Sequence, residues 1–340
     1  MQKRRFVTTL IHTALAAAFG TLAISGAAQA QWKPTRAITI IVPWAAGGST
    51  DQITRLVAGE MEKPLGQTIV IINQPGASGS IGTRSALEAA KDGYTWTAGA
   101  AQDLGAYQTL GSLDTSIKDW HLFLSVANVQ VIGVNPKTPY QNAKELLDAM
   151  KAQPGKISVA TAGVTSAGHN AMELIAKVTD VKYRHVTYDG GNPAVVATVS
   201  GEAEVTTQLA VEQADMIRGK RLRPLATVSD KPLELEGYGT IPPLSQTLPG
   251  FTAPTNYFGI FIPKGVPDDV IATVEKIWKE TISNSEAVKK YAISRGALFA
   301  PSSGEAAQKA VFPAVQANAW LLFDSGKAKV SPDTVGIPKI

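Results

Sequence analysis

One pattern occurs twice in this chain and constrains its fold more than any other feature. An apolar run of strand length, a turn of small residues and an amphipathic helix span residues 38–58, and the same succession spans residues 157–176. In the first copy Ile53, Leu56 and Val57 fall on one helical face, as expected for a helix that packs on a sheet. Apolar strands that alternate with helices predict a mostly parallel sheet covered on both faces, hence an α/β fold.

The first 30 residues differ in composition from the rest of the chain. Residues 1–30 read as an export signal: Lys3, Arg4 and Arg5 precede an apolar stretch, and small residues lead to a cleavage site after Ala30. The 310 residues that follow, out of 340, exceed what one hydrophobic core usually holds. We therefore expect an exported, soluble, two-domain protein of the periplasm.

Charge and composition exclude several function classes. Removal of the leader takes away three cations and no acids, so the formal charge falls from +4 to +1 and leaves little to bind nucleic acid or anionic lipid. The chain has no cysteine, which excludes disulfides, thiol nucleophiles and thiolate metal sites. No histidine pair with metal-ligand spacing, dinucleotide fingerprint or phosphate loop is present, so we expect no metal and no cofactor.

Candidate ligand contacts are expected at turns that follow strands. In open α/β sheets ligands bind beyond the carboxyl ends of the strands, where helix N-termini expose unpaired N–H groups and partial positive charge. Two turns of small residues fit this description, 43–49 followed by Asp51, and 161–169. If they face each other, they can hold a carboxylate without any Arg or Lys; the alternative is that both are tight turns that touch no ligand.

Three further features bear on the candidate site. The loop 73–79 follows the second predicted strand and would lie beside the first turn. Trp44 suits either the core or an apolar wall for a ligand. His169, near a helix start, suits either a ligand oxygen or a role behind the site, and His121 is predicted to lie in a connector.

The order and spacing of short motifs resemble the Bug receptors, the solute-binding proteins of tripartite tricarboxylate transporters. The matching motifs are Val42–Asp51 with Arg55, Leu65–Gln67, Asn73–Gly79, Asp92–Thr95, Pro154–Lys156, Gly163 with Gly168–His169, Tyr188–Gly191, Leu225–Ala226, and Gly259 with Pro263 and Pro267. The resemblance covers nearly all of the chain after the leader.

This resemblance implies a two-lobed clamshell of the periplasmic-binding-protein type (type II-like) with the ligand between the lobes. We expect one lobe from residues 31–127 plus 228–340 and the other from 128–227, with hinges near 126–131 and 225–229. Carried over residue by residue, the family's ligand contacts fall on Trp44, Ala46, Gly47, Gly48, Ser49, Asp51, Ser78, Gly79, Thr161, Gly163, Ser166, His169, Tyr188 and Asp189.

Departures from the family pattern bear on the ligand. The family usually has Arg at Gln74, Lys at Asp189 and a smaller aromatic residue at Trp44. Two cations are thereby missing near the mouth, which argues against a tricarboxylate. An aliphatic dicarboxylate of lower charge, a monocarboxylate, or an aromatic acid stacked on Trp44 is expected instead.

The expected partners are this small carboxylate and integral membrane transporter subunits, with no nucleic acid, and the chain is expected to be a monomer and not an enzyme. One alternative is a sensor that presents the bound carboxylate to a membrane histidine kinase. Another is a periplasmic hydrolase that uses Ser166 or Ser78 with His169, although the G-x-S-x-G nucleophile turn is absent.

Overall fold

Two separate β-sheets organise the chain. The computed structural model describes residues 31–339, which contain a six-stranded sheet, a five-stranded sheet and a two-stranded hairpin. The predicted leader and its cleavage after Ala30 lie outside the described residues and stay predictions.

The strands, in chain order, are β1 (Ile38–Val42), β2 (Ile69–Asn73), β3 (Thr95–Ala100), β4 (Trp120–Asn128), β5 (Val131–Val134), β6 (Ser158–Thr161), β7 (Arg184–Thr187), β8 (Val205–Thr206), β9 (Arg223–Thr227), β10 (Leu233–Leu235), β11 (Gly239–Ile241), β12 (Asn256–Pro263) and β13 (Ala297–Ser303). The α-helices are α1 (Ser49–Leu65), α2 (Ser80–Glu88), α3 (Ala101–Leu110), α4 (Ala143–Ala152), α5 (Ala167–Thr179), α6 (Gly191–Ser200), α7 (Ala210–Arg218), α8 (Asp268–Glu280), α9 (Glu286–Arg295) and α10 (Gly304–Asp324). None of the helices in residues 31–339 is long and apolar enough to cross a membrane.

The strand directions are mixed. The first sheet has the order β13-β4-β12-β3-β1-β2, and the second has the order β7-β6-β8-β5-β9. Parallel pairing, as predicted, joins β1 to β2 and β3, and β6 to β7 and β8. The remaining pairs of both sheets are antiparallel. β5 follows β4 after a two-residue crossing into the other sheet, and β12 enters the first sheet from a distant part of the chain. Parallel pairing, which was predicted for most of each sheet, is therefore limited to β1, β2 and β3 in the first sheet and to β6, β7 and β8 in the second.

Apolar residues cover both faces of the first sheet. Ile38, Ile40 and Val42 of β1 are fully buried, and Val57 and Met61 of α1 pack in the same cluster. Burial of one such side chain contributes about 1.5–3 kcal/mol. The predicted strand–turn–helix unit is thus confirmed, and its packing fixes where the turn before α1 lies.

One sequence expectation about this sheet is wrong. His121 was expected in a connector, but it belongs to β4, where it pairs with Ile262 of β12. The run around it alternates weakly in polarity because this strand is buried along most of its length, so periodicity did not mark it.

The chain crosses between the sheets twice. The first crossing lies between β4 and β5, where the amide of Val131 donates to the carbonyl of Gln208 over 2.9 Å. The second lies between β9 and β12, and in that stretch Leu244 and Phe251 pack with the apolar residues of the second sheet. This packing places the stretch after Thr227 beside the second sheet. The lobe boundaries given above stay a prediction.

Candidate ligand-binding cleft

Two helix starts from different sheets face one small cavity. Gly48 and Ser49 begin α1 after the first sheet's β1, and Ser166 caps α5 after the second sheet's β6. All three line the same cavity of about 30 Å³. The sequence expectation that the two turns of small residues face each other is consistent with this geometry.

The local folding of each turn explains why helix N–H groups point at the cavity. Gly48 has an extended backbone at the N-cap of α1 and no side chain of its own to cap the helix, and the amide of Ser49 donates to Glu212 instead. At α5 the Ser166 hydroxyl accepts a hydrogen bond from the amide of His169 over 3.2 Å. The first amides of a helix lack intrahelical acceptors, so the unbonded ones are available to an anion.

Direct hydrogen bonds join the two sides around the cavity. The amide of Ala45 donates to the carbonyl of Asp189 over 3.0 Å. Ser78 accepts twice from the opposite side: its hydroxyl from the amide of Val164 at 3.1 Å, and its carbonyl from the hydroxyl of Thr165 at 2.8 Å. The cleft is therefore closed, and the predicted residues Ser78 and Asp189 lie on its contact surface.

Gly163 allows this closure. Its φ of +118° lies in the region that favours glycine, and a Cβ atom there would stand 2.7 Å from the Ser78 hydroxyl oxygen. Gly47 also faces the opposite side. A Cβ atom at Gly47 would lie 3.4 Å from the side-chain nitrogen of Asn192.

Trp44 lies between core and cavity. It is only 7% exposed and packs in the core cluster of the first sheet, yet it also lines the cavity. Its indole ring covers Gly79, where a Cβ atom would be 3.1 Å from the ring. Gly79 therefore contacts Trp44 rather than the cavity, and Ala46 is exposed at the turn.

Asp51 stabilises the first turn. Its carboxylate accepts a hydrogen bond from the amide of Gly47 at 2.9 Å, from the guanidinium of Arg55 at 3.0 Å and from the side chain of Asn73 at 3.0 Å. Burial raises the pKa of Asp51, but the hydrogen bonds from Arg55 and Gly47 outweigh it and lower the pKa below its usual value. The charged carboxylate thus holds the turn in shape from behind.

Three other predicted residues lie away from the cavity. The ring of His169 is fully buried and stacks on His185, with 4.2 Å between ring centroids, and the Thr161 hydroxyl is 2.6 Å from Nε2 of His185. The Tyr188 hydroxyl donates to Glu202 over 2.8 Å. The structure gives these side chains partners within the second sheet's half of the molecule.

The histidine pair belongs to a polar cluster that joins α5 to the chain after α10. The ammonium of Lys327 lies 3.0 Å from Nε2 of His169 and 2.7 Å from a carboxylate oxygen of Glu173, which also accepts from the hydroxyl of Tyr183 at 2.5 Å. Burial, and then the charge of Lys327, hold the pKa of His169 well below its usual range. The contacts with Lys327 and His185 hold the ring of this histidine away from the cavity.

Sequence reasoning missed four polar residues that line the cavity: Thr50, Asp103, Gln208 and Glu212. Asp103 lies in the first turn of α3, directly after β3, which is parallel to β1. The rule that ligands bind beyond the carboxyl ends of parallel strands, applied to this third strand, would have found it. Gln208 and Glu212 flank the start of α7, for which no small-residue turn gave a signal.

Glu212 reaches from α7 to α1. One carboxylate oxygen accepts from the amide of Ser49 at 3.0 Å, and the other accepts from the amide of Leu209 at 3.3 Å. The carboxylate lies against Gly191, where a Cβ atom would be 2.1 Å away. Burial raises the pKa of Glu212, and the amide of Ser49 opposes that rise.

The charge of the lining is one-sided. No Lys, Arg or His is among the residues that line this cavity within the described part of the chain, whereas two carboxyl groups are. Among residues 31–339, no group of three or more His, Asp or Glu side chains is arranged to hold a metal ion. The binding chemistry available here is that of main-chain amides, hydroxyls and acidic acceptors.

Comparisons with known proteins agree with this architecture. A model of the family described as "Tripartite tricarboxylate transporter family receptor" matches residues 53–320. A UPF0065 protein encoded in the tcbD-tcbE intergenic region of Pseudomonas sp. (strain P51) is 31% identical over 261 residues, which is 75% of this chain and 76% of the relative. Protein BugT of Bordetella pertussis is 29% identical over 281 residues, which is 80% of this chain and 84% of BugT.

A solved structure shares the whole fold. The periplasmic binding protein BugD superposes with a TM-score of 0.79 at 25% identity, over 87% of this chain and 99% of BugD. The two-lobed α/β fold of periplasmic binding proteins and the resemblance to Bug receptors are confirmed, and proteins of this kind are binding proteins rather than enzymes. The chain therefore belongs to the tripartite tricarboxylate transporter receptor family of periplasmic solute-binding proteins.

Proposed function

We propose that this protein captures a small organic carboxylate between its two lobes and delivers it to integral membrane subunits of a tripartite secondary transporter. One observation carries the proposal: the starts of α1 and α5, at Ser49 and Ser166, line one cavity from opposite sides. A helix N-terminus carries about half a positive charge and offers unpaired N–H groups, which together suit a carboxylate.

Capture requires the cleft to open. A cavity of about 30 Å³ accepts one or two water molecules and no organic acid. The ligand therefore enters an open form, in which the contacts that Ser78 makes across the cleft are broken. A ligand that touches both sides then favours a form closed around it, wider than the empty cleft by the volume of the ligand, because only differential affinity for one state shifts the equilibrium.

Delivery rests on the family and on the closed shape. The family's description names a receptor of a tripartite transporter, which supports membrane subunits as the partner. In this mechanism the membrane subunits bind the closed, ligand-loaded form in preference to the open one. Reconstituted subunits from the same transporter should bind the receptor at least tenfold more tightly when its ligand is present, and equal binding with and without ligand would argue against delivery.

The ligands to screen first are aliphatic dicarboxylates and aromatic acids. The receptor is expected to bind them as a monomer. The packing of Trp44 in the core supports aliphatic acids, since little of its ring is free to stack on an aromatic one. A thermal-shift screen of succinate, malate, citrate and benzoate tests the carboxylate itself. A ligand at about 100 times its Kd stabilises the folded state by about 2.7 kcal/mol. If no carboxylate in such a screen raises the melting temperature, the proposal fails.

A further inference from the structure

Hydrogen-bond acceptors as well as donors line the cavity between α1 and α5. Asp103 is 4% exposed and Gln208 is 2% exposed, and both line the cavity. Within residues 31–339, neither Oδ1 of Asp103 nor Oε1 of Gln208 has a hydrogen-bond partner. Buried polar atoms in native proteins are almost always paired, so two unpaired acceptors on one cavity point to a donor that the ligand supplies.

The two acceptors come from opposite sides of the cleft. Asp103 lies in α3 after a strand of the first sheet, and Gln208 precedes α7, beyond β8 of the second sheet. The side-chain oxygen of Gln208 is held close over Gly168, where a Cβ atom would be 1.8 Å away, so the oxygen lies near the start of α5. A donor that meets both acceptors would therefore bridge the two sides, as a closing ligand must.

The charge of the lining decides what kind of donor fits. Asp103 and Glu212 are both acids, and no basic side chain of the described chain lines the cavity. The carboxylate of Glu212 already has the amides of Ser49 and Leu209 as partners, whereas Oδ1 of Asp103 has none within residues 31–339. A second carboxylate on the ligand would add negative charge beside an unpaired acid, while a cationic donor would neutralise it.

We infer that the ligand is a zwitterion, a small carboxylate that also carries an ammonium group, and that Asp103 and Gln208 accept hydrogen bonds from the ammonium. This inference rests on the proposed function, because the ligand's carboxylate still binds at the helix starts. Asp103 and Gln208 then determine specificity by favouring amino-bearing acids over plain ones. Burial raises the pKa of Asp103 well above its usual value, and an ammonium group bound beside the carboxylate would oppose that rise.

Matched pairs of ligands test the inference. The members of each pair, propionate and alanine, succinate and aspartate, and butyrate and 4-aminobutyrate, differ only by an ammonium group, whose position varies between the pairs. In calorimetry with the full mature chain, at least one amino member should bind at least tenfold more tightly than its parent acid. Since Na⁺ also suits oxygen acceptors, the titrations are run in sodium chloride and in choline chloride, and the preference should be the same in both.

Two variants separate the outcomes. In Asp103→Asn the affinity for the amino member should fall at least tenfold, so that its preference over the parent acid falls below threefold. Asp148→Asn is the control, since Asp148 pairs with Lys144 on the surface of α4. If Asp103→Asn does not fold, Gln208→Leu removes the other unpaired acceptor and should lower the same preference at least threefold, and an unchanged preference would contradict the inference.

Failure of the inference differs from failure of the proposed function. If parent acids bind and no amino member of the three pairs binds more than threefold more tightly, or if sodium alone creates the preference, the zwitterion is wrong and the carboxylate receptor stands. If amines without a carboxylate, such as butylamine, bind as tightly as the amino acids, or if neither acids nor amino acids bind, the carboxylate receptor itself is wrong.

Discussion

The side-chain carboxylate of Glu212 accepts a hydrogen bond from the backbone amide of Ser49 over 3.0 Å, although 163 residues separate the two in the chain. An acid from one side of the cleft thus rests on the first turn of a helix from the other side. This is the position at which the carboxylate of a ligand is expected to bind. In the closed protein, the carboxylate of Glu212 therefore occupies the position expected for the carboxylate of the ligand.

Glu212→Ala should increase the affinity for carboxylate ligands, because it removes the group that competes for the Ser49 amide. A hydrogen bond to a charged group contributes about 1.5–3 kcal/mol, so the increase should be about tenfold or more. Glu305→Ala is the matched control, as Glu305 occupies the first turn of α10 and is exposed. Calorimetric Kd values measure the effect, and weaker binding by the Glu212 variant would show that this carboxylate is itself a ligand contact.

Ser78→Ala should loosen the closed form. The variant loses the hydroxyl that accepts from the Val164 amide, at a cost of about 1 kcal/mol, so ligand affinity should fall about fivefold. Ser85→Ala should leave affinity unchanged, since the hydroxyl of Ser85 bonds only to the Ile81 carbonyl within α2. Kd values and the radius of gyration from small-angle X-ray scattering report the two effects, and identical values for both variants would disprove the role of Ser78.

Gly163→Ala should block closure. A Cβ atom at Gly163 meets the hydroxyl of Ser78, and the positive φ adds strain of about 1–3 kcal/mol. Gly155→Ala has a positive φ as well but no atom within 4 Å of the added Cβ, so it provides the strain without the contact. Both variants should lose similar stability in urea, but only Gly163→Ala should lose ligand affinity, by more than tenfold. Equal loss of affinity in the two variants would count against the contact.

The folded state should lose stability as the pH falls below about 6.5. Burial, and then the charge of Lys327, lower the pKa of His169 and of His185, so the unfolded chain takes up protons first. Stability is therefore complete above the unfolded pKa near 6.5 and falls by up to about 1.4 kcal/mol per pH unit for each histidine until the folded pKa is reached.

Urea unfolding from pH 8 to pH 5 measures this loss. His169→Gln should reduce the slope of stability against pH, whereas His121→Gln, which leaves the cluster around Lys327 intact, should retain most of it. A slope that is the same in native protein and in His169→Gln would mean that this histidine does not carry the pH dependence.

Much of the fold was predictable because its signals are local. The runs that became β1, β6 and β12, and the helices α1, α5 and α8, were marked by apolar periodicity and by small-residue turns within a few residues of each element. The strand β4 and the short helix α7 were not marked. β4 is buried along most of its length, and the residue that precedes α7, Leu209, gives no turn signal.

The site divides in the same way. The turns before α1 and α5 were recognised as ligand-facing, and Gly48, Ser49 and Ser166 do line the cavity. His169 lies only three residues beyond Ser166, yet its ring contacts Lys327 instead of the cavity. Sequence spacing alone does not state which face of a helix looks at a cleft.

The sequence by itself determined the family, the two strand–turn–helix units and the helix starts that offer amides, because each follows from residues that are neighbours in the chain. Only the tertiary structure decided that Asp103, Gln208 and Glu212 share one cavity, and that acids but no bases of residues 31–339 line it. These side chains come from the starts of two helices that follow strands of different sheets, and their proximity is a consequence of how the sheets pack, which no local pattern records.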